Sequence, residues 1–185
     1  MDHHLDLRLL PDPEFGPQAL REALYAKLHR ALAAGGCTGI GVSFPAVQGL
    51  DLGLCLRLHG TQAGLAALMD TAWLRGMRDH LTVGEIGAVP AQARHRCVSR
   101  RQSDSSPERL RRRLMRRHSI DEAEARERIP DSTATFLKLP SLQLRSTSTG
   151  QHFRLFIHHG PLQDTPTPGA FNAYGLSATA TVPWF

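Results

Sequence analysis

Lysine is nearly missing from this chain: of 22 basic residues only Lys27 and Lys138 are lysines, and the rest are arginines. Genomic composition alone can produce such a bias, so the placement of the arginines carries more meaning than their number. Aromatic residues are also few, at 6%. No run approaches the roughly 18 consecutive apolar residues of a transmembrane helix, which excludes a spanning segment. The opening Met1-Asp2-His3-His4-Leu5-Asp6 has acids where a signal or transit peptide carries bases, so a cytoplasmic location is expected. Cysteine is limited to Cys37, Cys55 and Cys97, far apart and without a C-x-x-C pair, which excludes a disulfide framework. Histidines are present, but His3-His4 and His158-His159 are adjacent pairs rather than ligands at helical or knuckle spacing, so neither a metal site nor any cofactor is expected. Internal repeats and low-complexity segments are absent.

What is there suffices for a folded core: 185 residues, 41% of them apolar, suit one ordinary domain or two small ones. The net charge of +5 is unevenly spread. Residues 1–90 hold 7 basic and 9 acidic side chains, whereas residues 91–185 hold 15 and 8. Within residues 94–117, ten arginines face only Asp104 and Glu108. A local excess of that size is the footprint of a polyanionic partner, and nucleic acid is the first to consider.

The first half alternates in hydrophobic period. Leu5, Leu7 and Leu9 share one face of a strand over residues 4–10, ended by Pro11-Asp12-Pro13. Pro17 opens a helix, where its missing N–H costs nothing, and Gly35-Gly36 closes it. Leu20, Leu24, Leu28, Ala31 and Leu32 form its buried stripe. Short strands are expected at residues 40–44 and 54–58, then a helix capped by Thr61 and running through Leu68. Further helical turns over residues 73–80 and a last strand near residues 96–100 complete the series. Strand, helix, strand, strand, helix, strand is the ferredoxin-like order. The expected fold class is therefore α+β, with a ferredoxin-like domain over residues 1–94 and a smaller C-terminal domain over residues 95–185. That order hosts unrelated activities, and no RNP-type aromatic motif marks its sheet as a base-stacking platform.

In the second half, Ser105 with Glu108, or Ser106 with Pro107, can cap a helix over residues 107–118. Ser119 with Glu122 signals another helix, ending before Pro130. Residues 142–146 and 152–158 are β-favouring runs joined through Thr147-Ser148-Thr149-Gly150, most simply a hairpin.

At 100° per residue, Arg109, Arg112, Arg113, Arg116 and Arg117 fall within an arc of about 140°, and Leu110 and Leu114 mark the flank that can pack on protein. Like charges at such spacings repel one another, and no acid is interleaved between Arg109 and Arg117 to relieve them. A solvated face is the plainer interpretation of a charge run. Without interleaved acids an anion is the better partner, because guanidinium forks match phosphate oxygens and guanine edges bidentately.

Three blocks carry a resemblance to a known family. They are Pro107-Glu108-Arg109-Leu110-Arg111-Arg112-Arg113-Leu114-Met115-Arg116-Arg117-His118, then Leu144-Arg145-Ser146-Thr147-Ser148-Thr149-Gly150-Gln151-His152-Phe153-Arg154-Leu155-Phe156, and Tyr174-Gly175-Leu176-Ser177 with the ending Val182-Pro183-Trp184-Phe185. With Pro11-Asp12-Pro13-Glu14-Phe15 and Lys27-Leu28-His29, they make essentially the whole chain similar to the CRISPR repeat-processing endoribonuclease of type I-F systems. The resemblance implies a metal-independent endoribonuclease whose ferredoxin-like domain carries the histidine and whose second domain binds an RNA hairpin. It implies that the arginine-rich helix enters the major groove of the repeat hairpin of pre-crRNA. Cleavage would fall on the 3′ side of the stem base by 2′-OH attack, leaving a 2′,3′-cyclic phosphate (or a 3′-phosphate) and a 5′-OH. The protein would then stay with its crRNA among other Cas subunits of a surveillance complex. A short hairpin with an open end makes entry into the narrow A-form major groove physically reasonable.

By the same resemblance His29 is the general base, a task imidazole suits because its unperturbed pKa lies near neutrality. Ser146 would position the 2′-OH, and Tyr174 would orient the histidine. Each has a plainer alternative. His29 lies off the apolar stripe, as an ordinary surface histidine does; Ser146 is equally a strand-end hydroxyl bonded to backbone; Tyr174 is equally an amphipathic residue at the core edge. Arg112, Arg113, Arg116, Arg117 and His118, with Arg109 on the same stripe, match groove and phosphate contacts. Arg100 and Gln102 match a pair that reads guanine and adenine near the foot of the stem. Ser148 and Thr149 match backbone-phosphate donors, and Phe153 matches an aromatic stacked on the terminal base pair. Alternation puts Phe153 on the face of Leu155 and Ile157, so the core claims it equally. Residues 46–53, which look short, and residues 177–181, which lack basic side chains, depart from the family pattern at no catalytic position. Charge and fold also fit a non-catalytic RNA-hairpin-binding subunit, against which only His29 and Ser146 favour the enzyme.

Overall fold

The computed structural model describes residues 1–102, 107–131, 137–146 and 150–185. Ser148 and Thr149 lie outside these, as do the helix caps expected at Ser105 and Ser106, and of Arg109 only the backbone is described. By contacts the chain forms two units: Met1–Arg101 with Leu139–Phe185, and Gln102–Lys138. The architecture is α+β with antiparallel sheets. Among the described residues no helix is long and apolar enough to cross a membrane.

The first unit begins with β1 (His3–Leu9), α1 (Pro17–Gly35), β2 (Gly41–Ser43), β3 (Cys55–Gly60), α2 (Gln62–Asp70), β4 (Leu81–Val83) and β5 (Gly87–Ala88). The sheet order is β2-β3-β1-β4, with β5 also paired to β1. Leu7 faces Leu56 and Leu5 faces Leu58 across the β1–β3 ladder, so one register sends all four leucines into the core. The leucines of α1, Leu20, Leu24, Leu28 and Leu32, meet them from the helix side. Burying each such side chain contributes about 1.5 to 3 kcal/mol relative to leaving it in water. Gly36 ends the helix at φ +57, a left-handed cap that favours glycine. Thr61 caps α2 through its hydroxyl, which accepts from the Gly64 N–H at 3.1 Å.

The last strand of this sheet is not the one the sequence suggests. Its place beside β1 goes to β4, three residues entered from a short 3-10 turn at Arg78–His80. Three residues are too few to register as an alternating pattern. The stretch near residues 96–100 instead belongs to β6 (Arg94–Arg101), at the centre of a second sheet. That sheet has the order β7-β8-β6-β9, with β7 (Ser141–Arg145), β8 (His152–His159) and β9 (Thr181–Trp184). The expected hairpin is present as the β7–β8 pair, in which Leu144 faces Phe153.

The two sheets join where β2 meets the chain before β9. The Val42 N–H donates to the Gly175 carbonyl at 2.9 Å. Gly175 adopts φ +68, and a Cβ there would lie 2.6 Å from Val42 Cγ1, so both conformation and space require glycine.

The second unit holds α3 (Pro107–His118) and α4 (Glu122–Arg128). The capping signal expected from Ser119 is replaced: Asp121 caps α4, its carboxylate accepting from the Glu124 N–H at 2.8 Å. Ser119 sits at φ +52 and donates its N–H to the Met115 carbonyl, ending α3 rather than starting α4. Arg111 is buried and ties the two helices, with Nε donating to the Ile129 carbonyl at 2.7 Å and Nη2 to Asp131 at 2.6 Å.

Candidate active site

His29 occupies the second half of α1, half-buried, one turn beyond the wholly buried Tyr25. Its Nδ1 lies 2.8 Å from the carbonyl oxygen of Ala173. A carbonyl can only accept, so the proton of the neutral imidazole is assigned to Nδ1 and the lone pair to Nε2. The ring is stacked on Tyr174, with centroids 3.9 Å apart and an interplanar angle of 2°. Position and tautomer of the histidine are therefore both set by residues 173 and 174.

That loop is itself held from several sides. The Tyr25 hydroxyl donates to the Tyr174 carbonyl at 2.7 Å. Burial, with the Tyr174 phenol nearby, pushes the Tyr25 phenol upward, so it remains a neutral donor. The Asn172 side chain accepts from the Tyr174 N–H at 2.8 Å, and the Asn172 N–H and carbonyl pair with Leu176 and Gly175. Tyr25, Asn172 and Ala173 were not legible as site residues, because a backbone carbonyl and a turn-forming amide carry no sequence signal of their own.

Ser146 follows β7, its backbone paired to Gln151 and Gly150. His29, Ser146, Phe153 and Tyr174 line one cleft of about 140 Å³. The remaining wall is supplied by Ala26 and Arg30 from α1 and by Leu144 and Arg145 from β7. The three residues expected to carry chemistry thus converge, although His29 and Tyr174 come from opposite ends of the sequence. Phe153 is half-buried: it packs against the core and also lines the cleft.

Arg100 reaches the same neighbourhood from β6. Its guanidinium carbon lies 5.7 Å from the Phe153 ring centroid and 5.8 Å from that of Tyr174, within cation–π range. Its Nε is buried and finds no partner among the described residues. Gln102 is exposed and belongs to the second unit. On α3, Arg112, Arg113, Arg116, Arg117 and His118 are all exposed, as their shared face suggests, whereas Arg111 turns inward. Arg111 lies on the helical flank of Leu110 and Leu114, a signal that separates it from the others.

A second serine–histidine pair, Ser43 and His59, is hydrogen bonded at 2.8 Å but wholly buried, beyond the reach of any substrate. Burial, then the Arg57 charge, pushes the His59 pKa down to about 3. Among the described residues no three His, Cys, Asp or Glu side chains are grouped to hold a metal ion.

Comparison with known proteins completes the picture. Among solved structures, "An RAMP protein binding different RNA substrates" matches at 12% identity and a TM-score of 0.35, covering 98% of this chain and 99% of its own. The chain is 57% identical over 187 residues to the "CRISPR-associated endonuclease Cas6/Csy4" of Pseudomonas aeruginosa (strain UCBPP-PA14), with both chains covered in full. It is 46% identical over 185 residues to the protein of that name from Escherichia coli (strain UTI89 / UPEC), again covering both chains in full. The family described as "CRISPR-associated protein (Cas_Csy4)" matches residues 4–185. A match that leaves out three residues, together with full-length identity of this order, means that the chain belongs to the Cas_Csy4 family of CRISPR-associated proteins.

Proposed function

We propose that this protein is an endoribonuclease that binds the repeat hairpin of pre-crRNA and cuts it without a metal ion on the 3′ side of the stem base. The observation that carries the proposal is the His29 imidazole, tied through Nδ1–H to the Ala173 carbonyl and stacked on Tyr174, in a cleft shared with Ser146. Its Nε2 lone pair removes the proton from the 2′-OH, and the 2′ oxygen attacks the adjacent phosphorus. The new O2′–P bond gives a 2′,3′-cyclic phosphate. The P–O5′ bond breaks, the 5′ oxygen takes a proton from water, and the hydroxide so formed is neutralised by the proton that His29 gives up, which restores the base. Ser146 positions the attacking 2′ oxygen in line, which converts proximity into rate.

Binding is the work of the second half of the chain, and the division of labour at residues 94/95 is part of this proposal. Arg109, Arg112, Arg113, Arg116, Arg117 and His118 engage the groove and phosphates. Arg100 and Gln102 read bases at the foot of the stem, Ser148 and Thr149 donate to phosphates, and Phe153 stacks on the terminal pair. The strand order β2-β3-β1-β4, with helices after β1 and β3, supports a ferredoxin-like reading of the N-terminal portion. Retention of the product would place the protein among other Cas subunits of a type I-F surveillance complex.

The deciding experiment incubates the pure protein with its cognate repeat RNA in EDTA. Cleavage leaving a 2′,3′-cyclic phosphate is expected. Hairpin binding without cleavage at any protein excess would instead identify a non-catalytic RNA-binding subunit.

A further inference from the structure

We infer that Arg30 is a further catalytic residue of this site, holding the non-bridging oxygens of the scissile phosphate while the phosphorus carries its extra oxygen. The inference rests on the nuclease reading above. Among the described residues, the cleft that contains His29 is walled by two guanidinium side chains, Arg30 and Arg145, and by no carboxylate. A cleft of that charge is made for an anion.

The two arginines differ in how free they are. Arg145 donates through Nε to the Gly150 carbonyl at 3.1 Å, within its own hairpin. Arg30 is exposed and makes no side-chain hydrogen bond or ion pair among the described residues. Among the described residues of the first half, Arg8 and Arg57 pair with Asp6 and Arg21 pairs with Asp51, whereas Arg30, Arg75 and Arg78 are exposed without such a partner; of these three only Arg30 lines the cleft. The acid available on the same helix, Glu22, lies two turns back and is engaged by Gln18 and by the Gln143 N–H.

A purely helical explanation for Arg30 also fails. Cations stabilise helix C-termini, but that effect fades beyond the last turn, and the last turn of α1 carries no basic residue. Arg30 is instead placed by spacing: Ala26, His29 and Arg30 stand at i, i+3 and i+4, one face of α1, and all three line the cleft.

The chemistry needs a cation in that position. As the 2′ oxygen closes on phosphorus, starting from about 3 Å, the non-bridging oxygens gain negative charge. The 2′-OH that His29 deprotonates is one bond-forming step from those oxygens. A side chain adjacent to His29 on the same wall therefore faces the same phosphate. A guanidinium offers two parallel N–H donors to two phosphate oxygens, and its grip strengthens as their charge grows.

The test is single-turnover cleavage of the repeat hairpin in EDTA by wild type, Arg30→Ala and Arg30→Lys, with affinity for the cleaved hairpin measured in parallel. Arg30→Ala is expected to cut about 10- to 100-fold more slowly, with product affinity nearly unchanged. Arg30→Lys is expected to recover part of the rate, since it restores charge without the fork. A rate for Arg30→Ala equal to wild type overturns the inference. So does a loss of affinity as large as the loss of rate, which would make Arg30 a general RNA contact. Should wild type itself fail to cut in EDTA, the nuclease reading falls, a result seen before any variant is compared.

Discussion

His29 and Tyr174 lie ring on ring, 3.9 Å apart and within 2° of parallel, while the neighbouring Ala173 carbonyl accepts a hydrogen bond from Nδ1–H of the same imidazole. Face and edge of the histidine are thus fixed by two consecutive residues of one loop. The loop is in turn held by Tyr25, Asn172 and the Val42–Gly175 hydrogen bond. Among the described residues nothing is bonded to Nε2, the atom that a general base would use.

Replacing His29 with alanine removes that base and leaves the arginine face of α3 untouched. Cleavage is expected to vanish while hairpin affinity stays nearly intact, because phosphate contacts dominate affinity. Gel-based cleavage and equilibrium binding on one preparation check this, and comparable rates in variant and wild type would remove His29 from the mechanism.

Gly175→Ala forces a side chain into a left-handed backbone and against Val42 Cγ1 at 2.6 Å. A cost of about 1 to 3 kcal/mol is expected for such strain. The loop must shift to relieve it, carrying the Tyr174 ring away from His29. Denaturant unfolding should show the loss of stability, and cleavage measured well below the unfolding transition should be slower as well. Wild-type stability and rate together would mean that the loop tolerates the side chain without moving.

Arg113 stands exposed in the middle of the α3 stripe. Its replacement by alanine is expected to weaken hairpin binding and to lower the slope of log affinity against log salt by about 1. Titrations at four salt concentrations give the slope directly. An unchanged slope would mean that this arginine faces solvent in the complex.

Acid sensitivity is expected from His59 and His159, whose pKa values are pushed down to about 3 and about 4, mainly by burial and then by Arg57 and Arg96 respectively. The unfolded chain binds protons at these positions below pH about 6.5, while the folded chain does not. Stability is therefore full above that pH and falls as the pH drops toward 4, by up to ~1.4 kcal/mol per pH unit for each histidine. Thermal midpoints measured from pH 7 to pH 4.5 should trace this decline, and His59→Gln should flatten it. A decline of the same steepness in that variant would assign the sensitivity elsewhere.

Much of this architecture is legible in the amino-acid sequence, and for identifiable reasons. The leucine alternation of β1 and the stripe of α1 are long enough for their periods to stand out. The exposed face of α3 follows from arginine spacing alone. The three-residue β4 is too short to have a period, and its absence from the pattern let β6 be assigned to the wrong sheet. At α4 two capping residues compete within three positions, and only geometry selects Asp121 over Ser119. For the site, Lys27-Leu28-His29 and Arg145-Ser146 were visible through likeness to a family rather than through any physical pattern. Nothing in the spacing of residues 29, 146 and 174 announces that they share a cleft; that proximity depends on how the second sheet meets α1.

His29 and Ala173 are 144 positions apart in the chain. During synthesis the imidazole is therefore made well before its hydrogen-bond partner and its stacking partner. A nascent polypeptide can therefore fold its first sheet without possessing an ordered cleft. Residues 172–176 thus order the histidine only after α3 and the β7–β8 hairpin have been made.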